Sequence, residues 1–137
     1  MLKQLLAIPL LCLAAVGARA DIINISPADV ARLAAAGGVV IDVRTQGEWQ
    51  ESGVIAGSKL ITLVDESGRT DAPAWLAKVK AVARPEQAPI LICHSGRRSQ
   101  IGAQLLERQG AYKTIYNVRG GMSAWQAERR PVVAAPK

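Results

Sequence analysis

Two short stretches of this chain, 39–43 and 89–93, are almost wholly apolar and lack the alternation of a half-exposed strand. Such runs are typical of strands that are buried on both faces of a parallel sheet. The stretches 59–63 and 114–118 have the same length and are also predicted to be strands. This pattern constrains the fold more strongly than any other feature of the sequence.

Helical patterns separate these strands. Ser26 is a helix N-cap followed by proline, and Gly37 and Gly38 end that helix. Further helices are predicted over 47–52, after Asp71, over 98–109 and after Gly121. In the third of these, the side chains of Ile101, Leu105 and Leu106 are predicted to face inward.

The alternation of strands and helices predicts one α/β domain, with a central parallel sheet flanked by helices on both faces. Ligands of such sheets bind at the carboxyl ends of the strands. Cys93 ends one of the predicted strands, so it is predicted to lie where ligands of such a sheet bind.

The first 20 residues have the pattern of a secretory signal peptide. A basic start with Lys3 precedes an apolar stretch over 5–16, and Ala18 and Ala20 are the small residues that a signal peptidase recognises. We predict a signal peptide over 1–20, a mature domain over 21–137 and a periplasmic or secreted location. The apolar stretch is shorter than the ~20 residues of a membrane span, so no stable membrane association is expected after cleavage. A retained anchor, or a lipid attached to Cys12, is less favoured.

The charge balance does not indicate a nucleic-acid partner. The chain has a formal net charge of +6, and loss of Lys3 and Arg19 with the signal peptide lowers this by two, to +4. A modest positive charge suits small anions as well as nucleic acid. No run of Lys and Arg with interleaved aromatic residues is present, so nucleic-acid binding is not predicted.

Cysteine usage is more informative. Cys12 falls in the predicted signal peptide, which leaves Cys93 as the single thiol of the mature chain. An intramolecular disulfide or a multi-cysteine metal site is then excluded. A free thiol in an oxidising compartment is exposed to oxidation. Either burial as an inert core residue or a chemical role must explain it.

The sequence after Cys93 favours the chemical role. Gly96 allows a tight loop whose backbone N–H groups can surround an anion, and the helix that follows adds the positive end of its dipole. Arg97 and Arg98 add two positive charges. These features stabilise a thiolate, which is the nucleophilic form of cysteine. No carboxylate lies near this loop in the sequence, so acid–base hydrolysis is disfavoured.

With these motifs the chain resembles the rhodanese family, and in particular its small exported single-domain members. The resemblance is carried by four segments in the order and separation of that family: 41–44 (IDVR), 48–58 (EWQESGVIAGS), 93–99 (CHSGRRS) and 117–125 (NVRGGMSAW). Val54 stands where the family usually has a histidine. We expect this replacement to affect the packing of its loop rather than the class of reaction.

The resemblance implies a sulfurtransferase. Cys93 would take sulfane sulfur from thiosulfate, or a similar small anionic donor, and pass it as a persulfide to cyanide or a thiol. It implies no metal and no organic cofactor. The residues implied to bind the donor and the persulfide are His94, Ser95, Gly96, Arg97, Arg98 and Ser99. Asp42 and Arg44 are expected to give structural support as an ion pair or a capped strand end.

Three other functions are considered for this loop. Related phosphatase folds use a longer loop between the cysteine and the arginine, so the short loop from Cys93 to Arg98 disfavours phosphate chemistry. A rhodanese-like sulfur carrier or protein-binding module without efficient turnover is a second possibility. A redox thiol that exchanges with mixed disulfides is the third. His94 could modulate the charge beside the thiolate, or simply be exposed at the mouth of the site.

Overall fold

The computed structural model describes residues 20–137. The predicted signal peptide, apart from Ala20, lies outside the described residues. The elements in chain order are β1 (Asp21–Ile25), α1 (Val30–Ala35), β2 (Val39–Asp42), α2 (Gln46–Ser52), β3 (Lys59–Leu60), α3 (Ala72–Val82), β4 (Pro89–Ile92), α4 (Arg97–Gln109), β5 (Thr114–Val118) and α5 (Gly121–Ala127), and a short 3₁₀ turn over Pro27–Asp29 leads into α1.

All five strands form one parallel sheet in the order β1-β5-β4-β2-β3. β4 lies at the centre, where Val40 pairs with Ile90 on one side and Ile90 pairs with Tyr116 on the other. This architecture confirms the α/β prediction. No helix among residues 20–137 has both the length and the apolar character needed to cross a membrane.

Two apolar cores cover the two faces of the sheet, because successive side chains of a strand point in opposite directions. Leu91 and Cys93 join the core that includes Trp75 of α3 and Leu106 of α4. Ile90 and Ile92, by contrast, pack with Val30 of α1 and with Met122 and Trp125 of α5. Helices therefore flank both faces, as the sequence predicted.

Strand β1 was missing from the prediction. It pairs with β5 over five residues and forms one edge of the sheet. Ile23 is exposed there, so the strand lacks the fully apolar character of the central strands. The strand assigned to 59–63 is also shorter than expected. Its regular part ends at Leu60, although the amides of Ile61 and Leu63 still bond to carbonyls of Asp42 and Val43.

The prediction that Ile101 faces inward is wrong. This side chain is 49% exposed, whereas Leu106 is fully buried and Leu105 packs against the core from a partly buried position. The face of α4 that contacts the sheet instead includes Gly102 and Ala103. A Cβ on Gly102 would lie only 3.0 Å from the Trp75 ring, so close packing of α4 selects small residues there.

Val54, which replaces the family's usual histidine, is buried beside the carboxyl-terminal segment. Its amide and carbonyl form a short antiparallel bridge with Val133, with N···O distances of 2.9 and 2.8 Å. An apolar side chain at position 54 is therefore compatible with this packing, because only the backbone makes the bridge.

The carboxyl end of β2 is tied to α2 by a buried ion pair. Asp42 and Arg44 are almost completely inaccessible, and Arg44 Nη2 lies 2.8 Å from Asp42 Oδ2. The same guanidinium donates to Ser52 Oγ and to the Gly53 carbonyl, at 2.7 and 2.8 Å. A buried pair is tolerated when such additional hydrogen bonds satisfy its polar atoms. This pair therefore anchors the carboxyl end of α2 to the end of β2.

Arg44→Met is expected to lower the free energy of unfolding by about 3–5 kcal/mol, because it leaves the Asp42 carboxylate buried without its partner. The double variant Asp42→Asn, Arg44→Met should recover part of this loss. Arg84→Met is the control, since Arg84 pairs with Glu86 on the exposed surface. Denaturant unfolding measures all three, and equal losses for Arg44→Met and Arg84→Met would contradict the assignment.

Candidate active site

The candidate site spans residues 93–99, which form the loop between β4 and α4 together with the first residues of that helix. Cys93 follows the last residue of β4, and Gly96 has a left-handed backbone (φ +98°) directly before Arg97 begins α4. The Gly96 amide donates a hydrogen bond of 3.0 Å to Cys93 Sγ. Cys93 is fully buried and is the free cysteine of the described residues. The loop thus turns back on the sulfur of its first residue.

The amino-terminal turn of α5 forms backbone hydrogen bonds with this loop. The amides of Met122 and Ser123 donate to the carbonyls of Cys93 and His94, at 2.7 and 2.9 Å. Gly121 lies against the same carbonyls, and a Cβ there would collide with the Cys93 carbonyl oxygen. Gly120 and Gly121 belong to the motif over 117–125, but the sequence did not predict that this turn contacts the loop.

Helix α2 also contacts the site, through an ion pair. Arg98 forms a two-pronged ion pair with Glu48 of α2, with N···O distances of 2.6 and 2.8 Å. The hydrogen bonds from Arg98 lower the pKa of Glu48 to about 2, against the partial desolvation of the carboxyl group. In return, the hydrogen bonds to Glu48 raise the pKa of Arg98, and the nearby Cys93 and Asp42 contribute in the same direction. Glu48 was not predicted to be a site residue.

The two arginines of the loop are therefore not equivalent. Arg98 is partly buried and held by Glu48, whereas Arg97 is exposed and has no ion pair within residues 20–137. His94 and Ser95 are also exposed, at the outer edge of the loop. The sequence alone did not separate the two arginines.

Ser99 lies on the inner side of the loop and is fully buried. Its hydroxyl is 3.3 Å from Cys93 Sγ and 2.6 Å from Oδ1 of Asn117, in β5. The sequence assigned Ser99 to the site through its backbone, and it assigned no role to Asn117.

Asp42 and Arg44 influence the loop indirectly, through helix α2. They fix the end of α2 through Ser52 and Gly53, and α2 carries Glu48, which holds Arg98. No group of three His, Cys, Asp or Glu side chains in the part of the chain that the structure describes could hold a metal ion.

A known protein family shares this fold and this loop. Residues 26–128 match the family described as Rhodanese-like domain. This match spans most of the chain, and the protein therefore belongs to the rhodanese-like domain family.

Individual relatives agree with this family. "Thiosulfate sulfurtransferase 18" of Arabidopsis thaliana is 28% identical over 116 residues, which cover 82% of this chain and 84% of the relative. The solution structure of a polysulfide-sulfur transferase homodimer from Wolinella succinogenes is 27% identical with a TM-score of 0.60, over 85% of this chain and 81% of that one. The crystal structure of Rv0390 from M. tuberculosis has a TM-score of 0.69 at 21% identity, over 85% and 99% of the two chains, and shows the fold alone. The fold and the sulfurtransferase relatives support sulfur transfer as the general reaction class.

The Glu48–Arg98 pair predicts a specific acid dependence of stability. Because the pKa of Glu48 is lowered from 4.5 to about 2, its contribution to stability is complete above pH 4.5 and is lost as the pH falls towards 2. Glu48→Gln should lower stability at neutral pH and remove this part of the acid dependence. Glu51→Gln, on the exposed side of the same helix, is the control. Unfolding measured between pH 2 and 7 tests this, and identical pH profiles for Glu48→Gln and the unsubstituted protein would contradict it.

Proposed function

We propose that this protein transfers sulfane sulfur from thiosulfate, or a similar small anionic donor, to cyanide or a thiol through a persulfide on Cys93. The observation that carries the proposal is the position of Cys93 Sγ. It lies at the end of a buried strand, accepts a hydrogen bond from the Gly96 amide and faces a loop closed by Arg98. A sulfur anion in this position is stabilised by the amide and by the start of α4.

In the first step, the Cys93 thiolate attacks the outer sulfur of thiosulfate. A bond forms between Sγ and that sulfur, and the sulfur–sulfur bond of thiosulfate breaks. Sulfite leaves with the electron pair of the broken bond, and the negative charge of the thiolate passes to the outer sulfur of the persulfide. The reaction needs no acid–base group once the thiolate is present. The structure's task is to hold an anion before and after the step.

In the second step, cyanide or a thiolate attacks the outer sulfur of the persulfide. The new bond to the acceptor forms as the bond to Sγ breaks, and Cys93 regains its thiolate. Cyanide leaves as thiocyanate, while a thiol leaves as a persulfide. The loop over 93–99 binds the anion in both steps, through the backbone amides of His94, Ser95, Gly96, Arg97, Arg98 and Ser99.

The two arginines take different roles in this proposal. Arg97 meets the anionic end of the donor, because its exposed guanidinium has no ion pair among the described residues. Arg98 holds the loop closed through Glu48 and adds positive charge near the sulfur. The shared positive charge attracts small sulfur anions to the mouth of the site.

The cellular location is part of the proposal. The pattern over residues 1–20 supports export to the periplasm or beyond, with a mature domain over 21–137. Strand β1 begins at Asp21, so cleavage after Ala20 leaves all five strands intact. We therefore propose a periplasmic or secreted location for the mature domain.

A second candidate function is a rhodanese-like sulfur carrier or protein-binding module without efficient turnover. Two observations favour this function. Cys93 is completely buried, and the Arg98 guanidinium is already paired with Glu48, so both features limit the access of a donor to the sulfur. Turnover distinguishes the two functions, since a carrier forms the persulfide without passing it on rapidly.

Thiosulfate and cyanide are expected to give thiocyanate with this protein, and Cys93→Ser should abolish the reaction, because the serine hydroxyl cannot form a persulfide. Colorimetric detection of thiocyanate measures the rate, and Ser67→Ala, in an exposed turn outside the loop, is a matched control that should retain turnover. Normal turnover by Cys93→Ser would exclude the proposed nucleophile. Turnover at background in the unsubstituted protein would favour the carrier.

Arg97→Ala is expected to raise KM for thiosulfate by roughly tenfold, with little change in stability, because one charge-assisted hydrogen bond to the donor is lost. Arg98→Ala should lower stability as well, since it also breaks the pair with Glu48. Arg108→Ala, exposed further along α4, serves as the control. Steady-state kinetics with thiosulfate test the assignment, and an unchanged KM in Arg97→Ala would refute it.

A further inference from the structure

A buried chain of polar side chains leads away from the sulfur of Cys93. The hydroxyl of Ser99 lies between Cys93 Sγ, at 3.3 Å, and Asn117 Oδ1, at 2.6 Å. All three residues are buried. The contact with Asn117 has the length of a short O–H···O hydrogen bond, in which the Ser99 hydroxyl is the donor, so its proton is directed away from the sulfur.

The orientation of the Asn117 amide is fixed by its other neighbours. Its Nδ2 donates to Oδ1 of Asn24 and to Oε1 of Gln100, both at 3.1 Å, and it faces the Gly96 carbonyl at 3.5 Å. A backbone carbonyl can only accept a hydrogen bond, so the nitrogen of the amide belongs on this side. The oxygen of the amide therefore faces Ser99.

This arrangement determines whether the Ser99 hydroxyl acts as a donor or as an acceptor towards the sulfur. A hydroxyl has one proton to donate. When Ser99 donates this proton to Asn117, its oxygen presents a lone pair to Sγ. That lone pair accepts a hydrogen bond from the S–H of a thiol, but it repels a thiolate or a persulfide. For either anion, the hydroxyl must rotate towards the sulfur and leave Asn117 Oδ1 without a donor.

We propose that Asn117 is a positioning residue that, through the hydroxyl of Ser99, sets the balance between the thiol and the anionic forms of Cys93. The inference rests on the proposed function, in which the thiolate and the persulfide are the reacting species. The switch involves no covalent step. The proton of Sγ leaves to solvent, and the hydroxyl proton of Ser99 changes its acceptor from the amide oxygen to the sulfur.

Charged and titratable groups near the loop must stay constant in a test. Arg98 interacts with both Cys93 and Asp42, and Glu48 pairs with Arg98. The imidazole of His94 follows Cys93 directly in the loop. None of these groups is changed by substitutions at Ser99 or Asn117, so differences between such variants report on the hydroxyl and the amide.

The test measures the rate at which iodoacetamide alkylates Cys93 as a function of pH, with mass spectrometry of the Cys93 peptide from the full chain. Ser99→Ala removes the donor to the thiolate and should move the midpoint upward by about one pH unit, the effect of one charge-assisted hydrogen bond. Asn117→Leu removes the competing acceptor and should move the midpoint downward by about half a unit, a fraction of that effect.

The double variant distinguishes positioning from a general structural effect. If Asn117 acts through Ser99, then Asn117→Leu has no further effect on the midpoint in the Ser99→Ala background. Ser99→Thr, which keeps the hydroxyl, should remain near the unsubstituted midpoint. Tyr116→Phe, the neighbouring position on β5 that points to the opposite face, is the matched control and should leave the midpoint unchanged.

Two results would overturn the inference. One is an upward shift, or no shift, in Asn117→Leu, and the other is an equal downward shift with and without the Ser99 hydroxyl. Tryptophan fluorescence checks that each variant is folded, and Asn117→Ala replaces Asn117→Leu if the larger side chain prevents folding. Alkylation requires no sulfur donor, so the predicted shifts can hold when no persulfide forms, and they can fail while sulfur transfer is intact.

Discussion

The structure depends above all on the burial of β4 on both faces. All four residues of this strand are buried, and their side chains alternate between the two apolar cores. This alternation directs Cys93 towards the core that contains α4. The thiol is therefore held at the end of a rigid strand, directly before the helix whose amino terminus stabilises a sulfur anion. A thiol on a mobile loop would not be held in one position relative to these amides.

Two further helices complete the site, each through a different kind of contact. The turn that begins α5 contacts the loop through backbone hydrogen bonds, and Gly121 is required there because the Cys93 carbonyl leaves no room for a side chain. Helix α2 contacts the loop through charge, since Glu48 holds Arg98. The buried pair of Asp42 and Arg44 anchors α2 in turn. Residues that make no hydrogen bond to the thiol thus hold the helices that position its loop.

The fold class was predictable because it depends on local patterns, namely short apolar strands that alternate with capped helices. The site was predictable where its residues are close in the sequence, which holds for the loop over 93–99 and for the ion pair of Asp42 and Arg44. Strand β1 was missed because it is an edge strand that is defined by its pairing with β5. Glu48 was missed because its partner Arg98 lies 50 residues away in the chain. Asn117 was missed for the same reason, since only the folded sheet brings it beside Ser99. Long-range contacts of this kind leave no local signal.

The central claim is that Cys93 carries the transferred sulfur. The most direct measurement is the mass of the Cys93 peptide from the purified protein, before and after incubation with thiosulfate. We expect thiosulfate to add the mass of one sulfur atom to this peptide and cyanide to remove it. If the mass stays unchanged after thiosulfate and after polysulfide, while iodoacetamide still alkylates Cys93, then Cys93 does not carry the transferred sulfur.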